Sequence, residues 1–191
     1  MSAEMALKIA IDLMHVPSQV RLLRSEPLPD DVQVLLRIAA GDNEAVSAAV
    51  SLTGRSHEVV WQAATFFIEQ ILFAPDSDSY RVLGASPAAD ASELRRNVAL
   101  LLRWLHPDLD PQGDRSIFIG RVTAAWNNLK TPERRAAYDA TLRSPVAEKN
   151  NNRKSGWSRR RRSAKRRPEG VDARGFWQRA LAILLDRPLV R

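Results

Sequence analysis

Apolar and polar residues recur along most of this chain at the spacing of an α-helix. In the first 16 residues the polar side chains of Glu4, Lys8, Asp12 and His15 follow one another at intervals of four and three. The near alternation also fits a strand, but an acidic residue four positions before a basic one favours a helix. The apolar positions of this predicted helix are Met5, Leu7, Ile9, Ile11 and Leu13.

Prolines, glycines and capping residues divide the rest of residues 1–73 into shorter helices. A short helix opens at Pro17 or Ser18 and is ended by Pro27 and Pro29. Three further helices are predicted by N-capping side chains before them and by glycine or proline after them. The predicted caps are Asp30, Asp42 and Ser56, and the predicted stops are Gly41, Gly54 and Pro75. The stretch APDSDS then predicts a turn or short linker.

Residues 78–143 predict two long helices joined by a loop. Asp90 and Glu93 form a capping box, and a helix follows to Leu105. The loop HPDLDPQGD separates it from a second helix over about 115–129, and a connection this short makes the pair antiparallel. Shorter helices flank the pair. The predicted apolar faces are Leu94, Val98, Leu101, Leu102 and Leu105 in the first helix and Phe118 or Ile119, Val122, Ala125, Trp126 and Leu129 in the second.

The composition favours a helical protein that works by binding. The 191 residues are 45% hydrophobic, contain no cysteine and include no run of 18 apolar residues. We therefore expect an all-α fold in four segments, 1–73, 76–143, 144–170 and 171–191, without metal or cofactor. The three histidines, His15, His57 and His106, lie in unrelated contexts, and no nucleophile or phosphate-binding glycine loop accompanies them, so we expect no enzymatic activity.

The positive charge is concentrated in one segment. Residues 1–143 hold 15 Lys/Arg against 18 Asp/Glu, whereas residues 144–170 hold 10 against 2. This polar, unpatterned stretch predicts a disordered linker, which is either a solvated tail or a site for phosphate groups of nucleic acid or anionic lipid. The candidate anion-binding residues are Trp157, Arg159, Arg160, Arg161, Arg162, Lys165, Arg166 and Arg167, with Trp177 beyond them.

Residues 171–187 predict an amphipathic helix. Its apolar face carries Phe176, Trp177 and Leu181, and about ten apolar-rich residues are too few to cross a bilayer. The helix either lies in a membrane interface, with the basic run as a second attachment signal, or folds back on the rest of the chain.

The region 76–143 resembles the J domain, the DnaJ-like co-chaperone module. The matching stretches are YRVLG at 80–84, the helix from Glu93, HPD at 106–108, AAWNNL at 124–129 and ERRAAYD at 133–139. The resemblance implies that the loop at the end of the helix from Glu93, the second helix of the family's domain, is presented to a DnaK-type chaperone ATPase. The implied partner-binding residues are His106, Pro107 and Asp108 of the loop, with Arg95, Arg96 and Arg103 of the helix before it.

Two departures from the family pattern affect the expected affinity. Ala99 and Leu100 stand where family members usually carry a basic pair, and Val98 replaces a usual aromatic residue. Leu109 and Asp110 replace the common basic and amide residues after HPD. Either the function survives with weaker electrostatic steering, or residues 98–100 face another part of this protein.

The resemblance predicts a co-chaperone that stimulates ATP hydrolysis by a DnaK-type partner and directs it to a client or location. The alternative is a non-catalytic scaffold whose basic tail recruits an anionic membrane or nucleic acid. We expect a cytoplasmic protein, with peripheral attachment to the inner face of a membrane as the alternative location.

Overall fold

The computed structural model describes residues 2–106, 108–109 and 114–143. Within these residues it contains nine α-helices and no strand, which confirms the all-helical prediction for this part of the chain. The helices are α1 Ser2–His15, α2 Val20–Ser25, α3 Val32–Ala39, α4 Asn43–Thr53, α5 His57–Phe67, α6 Ser79–Val82, α7 Ala91–Trp104, α8 Ile119–Leu129 and α9 Pro132–Arg143. Short 3-10 turns at Pro17–Gln19 and Asp114–Phe118 and a π-helical turn at Ile68–Leu72 complete the set.

Local capping chemistry sets most of the helix ends. The Asp42 carboxylate accepts from the Glu44 and Ala45 amides at the start of α4, and Ser56 accepts from the Val59 amide at the start of α5. Both caps were predicted. The predicted cap Asp30 is wrong, because α3 begins at Val32 after Asp31, which has a φ of 63° and makes no side-chain capping bond.

The apolar face of α1 differs from the predicted one at Met5 and at Ile9, which is only half-buried. The side chains of Leu7, Ile11 and Leu13 are buried as expected. Met5, however, is 61% exposed, and the small residues Ala6 and Ala10 are fully buried instead. The helix thus buries the stripe at 6, 7, 10 and 11, the 3–4 spacing of an amphipathic helix, and alanines let it lie close to its neighbours.

The N-terminal helices pack around α5. This helix contacts α1, α3 and α4, and α1 also contacts α3. The chain continues from α5 into the π-helical turn, where Ile68, Ile71 and Leu72 are buried. The helices of the first 73 residues therefore share one apolar core.

The next part of the chain is the predicted helix pair. Helices α7 and α8 pack against each other, and α6 packs against α8. The residues predicted for the two apolar faces are buried, except that Phe118 and Ile119, the two candidates for the first position of the second face, are only half-buried. The second helix begins later than predicted, because residues 114–118 form a 3-10 turn before α8 starts at Ile119.

The N-terminal helices and the helix pair share a packed boundary. Helix α3 lies against α7, and Gly84, with a φ of 62°, lies where a Cβ atom would be 3.1 Å from Val32 and 3.3 Å from Leu36 of α3. A side chain at position 84 would therefore meet α3 directly. The described residues up to Pro132 form one compact unit, and the second unit is described only by the part of α9 that follows Pro132.

Two arginines bind backbone carbonyls across this boundary. Arg81 donates to the carbonyl oxygens of Glu26 at 2.8 Å and Leu23 at 2.6 Å, and Arg121 donates to that of Ala74 at 2.6 Å. Burial lowers the pKa of both guanidinium groups from the usual arginine value, but both stay charged at neutral pH. These bonds satisfy carbonyl groups at helix ends and at the turn after the π-helical segment.

Candidate partner-binding site

The candidate loop begins where α7 ends. Leu105 closes the helix, and the His106 amide donates to the Arg103 carbonyl at 3.1 Å. The Leu109 amide then donates to the His106 carbonyl at 2.9 Å, so the chain turns tightly directly after the helix. Trp104 and Leu105 are buried beneath this turn, which fixes its base in the core.

The side chains of His106 and Asp108 meet within the turn. The Asp108 amide donates to His106 Nδ1 at 3.2 Å, and an Asp108 carboxylate oxygen lies 3.3 Å from the same nitrogen. One nitrogen cannot accept from the amide and donate to the carboxylate at once. The amide bond fits the neutral ring, which then carries its proton on Nε2, whereas the carboxylate contact fits the ring protonated on Nδ1.

The two side chains differ in exposure. The Asp108 side chain is 87% exposed and that of His106 is 38% exposed. The histidine therefore lies partly against the turn, while the carboxylate points into solvent. Such a carboxylate can accept two bonds from an arginine of another protein.

The arginines of α7 form an exposed stripe that leads to the turn. Arg95, Arg96 and Arg103 are exposed, and Ala99 is exposed between them at helical spacing. The structure therefore brings the three predicted arginines onto the solvent side of the helix that ends at His106. No ion pair joins any of them to a carboxylate within the described residues.

The three unusual residues of α7 do not share one environment. Val98 is buried, Ala99 is exposed and Leu100 is half-buried. Val98 thus belongs to the core of this protein, as predicted from its place on the apolar face of the helix. Ala99 belongs to the arginine stripe, where its methyl group leaves a gap in the positive charge.

Acidic residues of the N-terminal region lie near the start of the stripe. Arg96 and Glu93 line an open pocket of about 390 Å³ together with Asp30 and Asp31 from the segment before α3. These carboxylates offset the positive potential at Arg96 more than at Arg103, which lies two turns further along the helix.

The sequence interpretation missed Arg115. This residue lies in the 3-10 turn Asp114–Phe118, and its guanidinium donates to the carbonyl oxygens of Trp104 and Leu109, on either side of the turn. An arginine shortly before an aromatic residue, Phe118, at the far end of a polar loop was the available signal. That pattern alone does not indicate what the arginine binds.

Several predicted residues lie outside the part of the chain that the structure describes. Pro107 is one, and Asp110 of the same loop is another. The basic segment 144–170 and the predicted helix 171–187 are others, with all of the candidate anion-binding residues. Their roles stay predictions from the sequence.

Residues 2–106, 108–109 and 114–143 show neither a cluster of metal ligands nor a helix that could cross a membrane. No group of three His, Asp or Glu side chains converges there as metal ligands would. None of the helices in these ranges is both long and apolar enough to cross a membrane. His15 and His57 lie on the surface.

Comparison with known proteins identifies the helix pair and its flanks. Residues 78–139 match the family model described as the DnaJ domain. The chain is 37% identical over 62 residues to "Chaperone protein DnaJ" of Brevibacillus choshinensis, over 32% of this chain and 16% of that protein. It is 42% identical over 62 residues to "Chaperone protein DnaJ" of Tropheryma whipplei (strain Twist), over 32% of this chain and 17% of that protein.

A third relative carries a different name. The chain is 36% identical over 63 residues to "Curved DNA-binding protein" of Coxiella burnetii (strain RSA 493 / Nine Mile phase I), over 33% of this chain and 20% of that protein. The chain thus spans a fifth or less of the length of these relatives. No solved structure matches it at a significant level.

Proposed function

We propose that this protein, whose residues 78–139 are a DnaJ domain, is a co-chaperone that raises ATP hydrolysis by a DnaK-type chaperone ATPase. The observation that carries the proposal is the position of His106 and Asp108 at the end of α7, inside the stretch that matches the domain. DnaJ domains are generally non-catalytic, so the hydrolysis is performed by the partner. This protein supplies a binding surface that favours the partner's reactive state.

The turn offers two polar side chains to the partner. The exposed Asp108 carboxylate can accept the paired N–H groups of an arginine, a contact that strengthens when water is excluded. The imidazole of His106, whose Nδ1 accepts from the Asp108 amide, lies beside this carboxylate as the second polar group. Arg95, Arg96 and Arg103 then attract an acidic surface of the partner over a longer range.

The test is a single-turnover ATPase assay with the partner and the full chain. His106→Gln and Asp108→Asn should each abolish the stimulation while circular dichroism shows an unchanged fold. His15→Gln and Asp12→Asn are matched controls, because they make the same chemical changes at exposed positions of α1. Full stimulation by both loop variants would exclude this function.

We also propose that residues 144–191 hold the protein on an anionic membrane surface. The support comes from the sequence, in which a strongly basic run precedes the apolar residues Phe176, Trp177 and Leu181. Charge attracts the chain to acidic lipid, and the apolar face is buried among the acyl chains, so the two contributions add. Nucleic acid would attract the same charge but would offer no apolar layer.

Co-sedimentation of the full chain with anionic vesicles tests this second proposal. Trp177→Ser combined with Leu181→Ser should release the protein from vesicles and leave its binding to duplex RNA nearly intact. Neutral vesicles and a chain ending at residue 143 are the controls. Equal loss of lipid and RNA binding would show that the helix serves the rest of this protein instead.

A further inference from the structure

Arg115 joins the two sides of the turn that contains His106 and Asp108. Its Nη1 atom donates to the carbonyl oxygen of Trp104 at 3.4 Å, and its Nη2 atom donates to that of Leu109. Trp104 is the last residue of α7, and Leu109 directly follows Asp108. A single side chain therefore constrains the distance between the helix end and the residue after the candidate binding groups.

The same guanidinium lies over two indole rings. Its Cζ atom is 5.0 Å from the centre of the Trp104 ring and 5.6 Å from that of Trp61. Both distances are within the range in which a cation is attracted to an aromatic face. Trp61 belongs to α5, in the N-terminal helices, so a residue outside the DnaJ domain contacts the side chain that holds the turn.

Both rings are themselves held in place. The Trp61 Nε1 atom donates to the Ala39 carbonyl at the end of α3, at 3.3 Å. Trp104 is fully buried, and its ring centre lies 5.9 Å from that of Phe73 and 6.5 Å from that of Phe118. The guanidinium therefore meets rigid surfaces rather than mobile side chains.

We propose that Arg115 and Trp61 are positioning residues for the turn, so that the N-terminal helices help the DnaJ domain to present its binding groups. The expected effect on the partner rests on the proposed function, whereas the contacts of Arg115 with the turn and with Trp61 do not depend on that function. A turn held in one conformation loses less conformational entropy when it docks, and this raises affinity without any added contact. Neither residue needs to touch the partner.

Two substitutions of Trp61 distinguish the contribution of its aromatic ring from that of its hydrogen bond to Ala39. Trp61→Phe and Trp61→Leu both remove the bond to Ala39, but only Trp61→Leu removes the aromatic face below Arg115. In the full chain, Trp61→Leu should raise the concentration for half-maximal ATPase stimulation about threefold to fivefold, as loss of one cation–π contact implies. Trp61→Phe should stay within about twofold of the unchanged protein, and the maximal stimulated rate should be the same for both.

Arg115→Gln tests the other half of the contact. It removes the charge and the paired donors at a half-buried site, and it should raise the half-maximal concentration at least as much as Trp61→Leu does. Arg55→Gln is the matched control, because Arg55 is exposed between α4 and α5 and should give no change. If Trp61→Leu unfolds the protein, Arg115→Gln still decides the question.

Amide hydrogen exchange provides a readout that does not depend on the partner. The Leu109 amide donates to the His106 carbonyl, and the Asp108 amide donates to His106 Nδ1, so exchange at both amides reports on the turn. Both should exchange several-fold faster in Trp61→Leu and Arg115→Gln, with unchanged rates in the middle of α7. A protein that never stimulates the ATPase would refute the proposed function, while this measurement would still test the positioning.

The positioning proposal is wrong if Trp61→Leu and Trp61→Phe behave alike in both assays. It is also wrong if Arg115→Gln leaves exchange at Asp108 and Leu109 unchanged. A fall in the maximal rate at an unchanged half-maximal concentration would instead assign Arg115 a direct role in the partner's hydrolysis and overturn the positioning role.

Discussion

Replacing Gly84 with alanine should destabilise the boundary between the N-terminal helices and the DnaJ domain. The left-handed φ of 62° costs a non-glycine residue about 1–2 kcal/mol. The added Cβ atom would lie 3.1 Å from Val32 Cγ1, 3.3 Å from Leu36 Cδ1 and 3.4 Å from Leu72 Cδ1. Forcing an extra carbon into a packed site costs about 1–3 kcal/mol, so the free energy of unfolding should fall by about 2–5 kcal/mol.

A second glycine separates the two contributions. Gly54 has a φ of 65° at the end of α4, but a Cβ atom there would meet nothing within 4 Å. Gly54→Ala should therefore cost only the backbone part, about 1–2 kcal/mol. Urea denaturation followed by circular dichroism would measure both variants in the full chain. Equal losses for the two would show that α3 does not press on position 84 and would refute the packing argument.

Two further predictions concern charge. Ala99→Lys should fill the gap in the α7 stripe and change the free energy of unfolding by less than about 0.5 kcal/mol. It should lower the half-maximal concentration for ATPase stimulation at low salt but not at high salt. Ala124→Lys, on the exposed side of α8, is the control, and an equal gain from this variant would mean that only the net charge matters. The hydrogen bond from Arg37, together with the hydrogen bond from the Ala45 amide, holds the pKa of Asp42 below its usual value. The carboxylate therefore stabilises the fold above about pH 4, and this contribution is lost as the pH falls through the lowered pKa. Asp42→Asn should therefore make the urea midpoint depend less on pH between about pH 5 and pH 2 than in the unchanged protein, and an unchanged dependence would assign the acid sensitivity to other carboxylates.

The sequence predicts helices well where the deciding chemistry is local. Asp42 and Ser56 are capping residues whose partners lie two or three residues away, so their roles can be recognised from the neighbouring sequence. Gly54 is recognisable as the end of α4 for a similar reason, because a glycine directly after a helical pattern commonly ends the helix with a positive φ. The prediction fails at Asp30, because two acidic residues stand in succession and the backbone of Asp31, not a side-chain bond, turns the chain into α3.

The candidate loop was predictable in part. His106 and Asp108 follow from the motif and its spacing, and the exposure of Arg95, Arg96 and Arg103 follows from the helical pattern. The roles of Arg115 and Trp61 do not follow, because 54 positions separate these residues in the sequence and no local pattern marks their contact. Met5 shows a similar limit, since the buried alanines beside it carry little hydrophobic signal.

The arginine contacts at the boundary restrict mutation of the donor residues more than mutation of the acceptor residues. Arg81 and Arg121 bind the backbone carbonyls of Leu23, Glu26 and Ala74, and a carbonyl oxygen is the same on every residue. Mutation of the side chains at 23, 26 or 74 leaves the acceptor in place, whereas loss of either guanidinium removes the donor that these carbonyls share. Descendants of this protein can therefore vary exposed accepting residues such as Glu26 without losing these bonds, whereas the bonds require that both arginines within the DnaJ domain are kept.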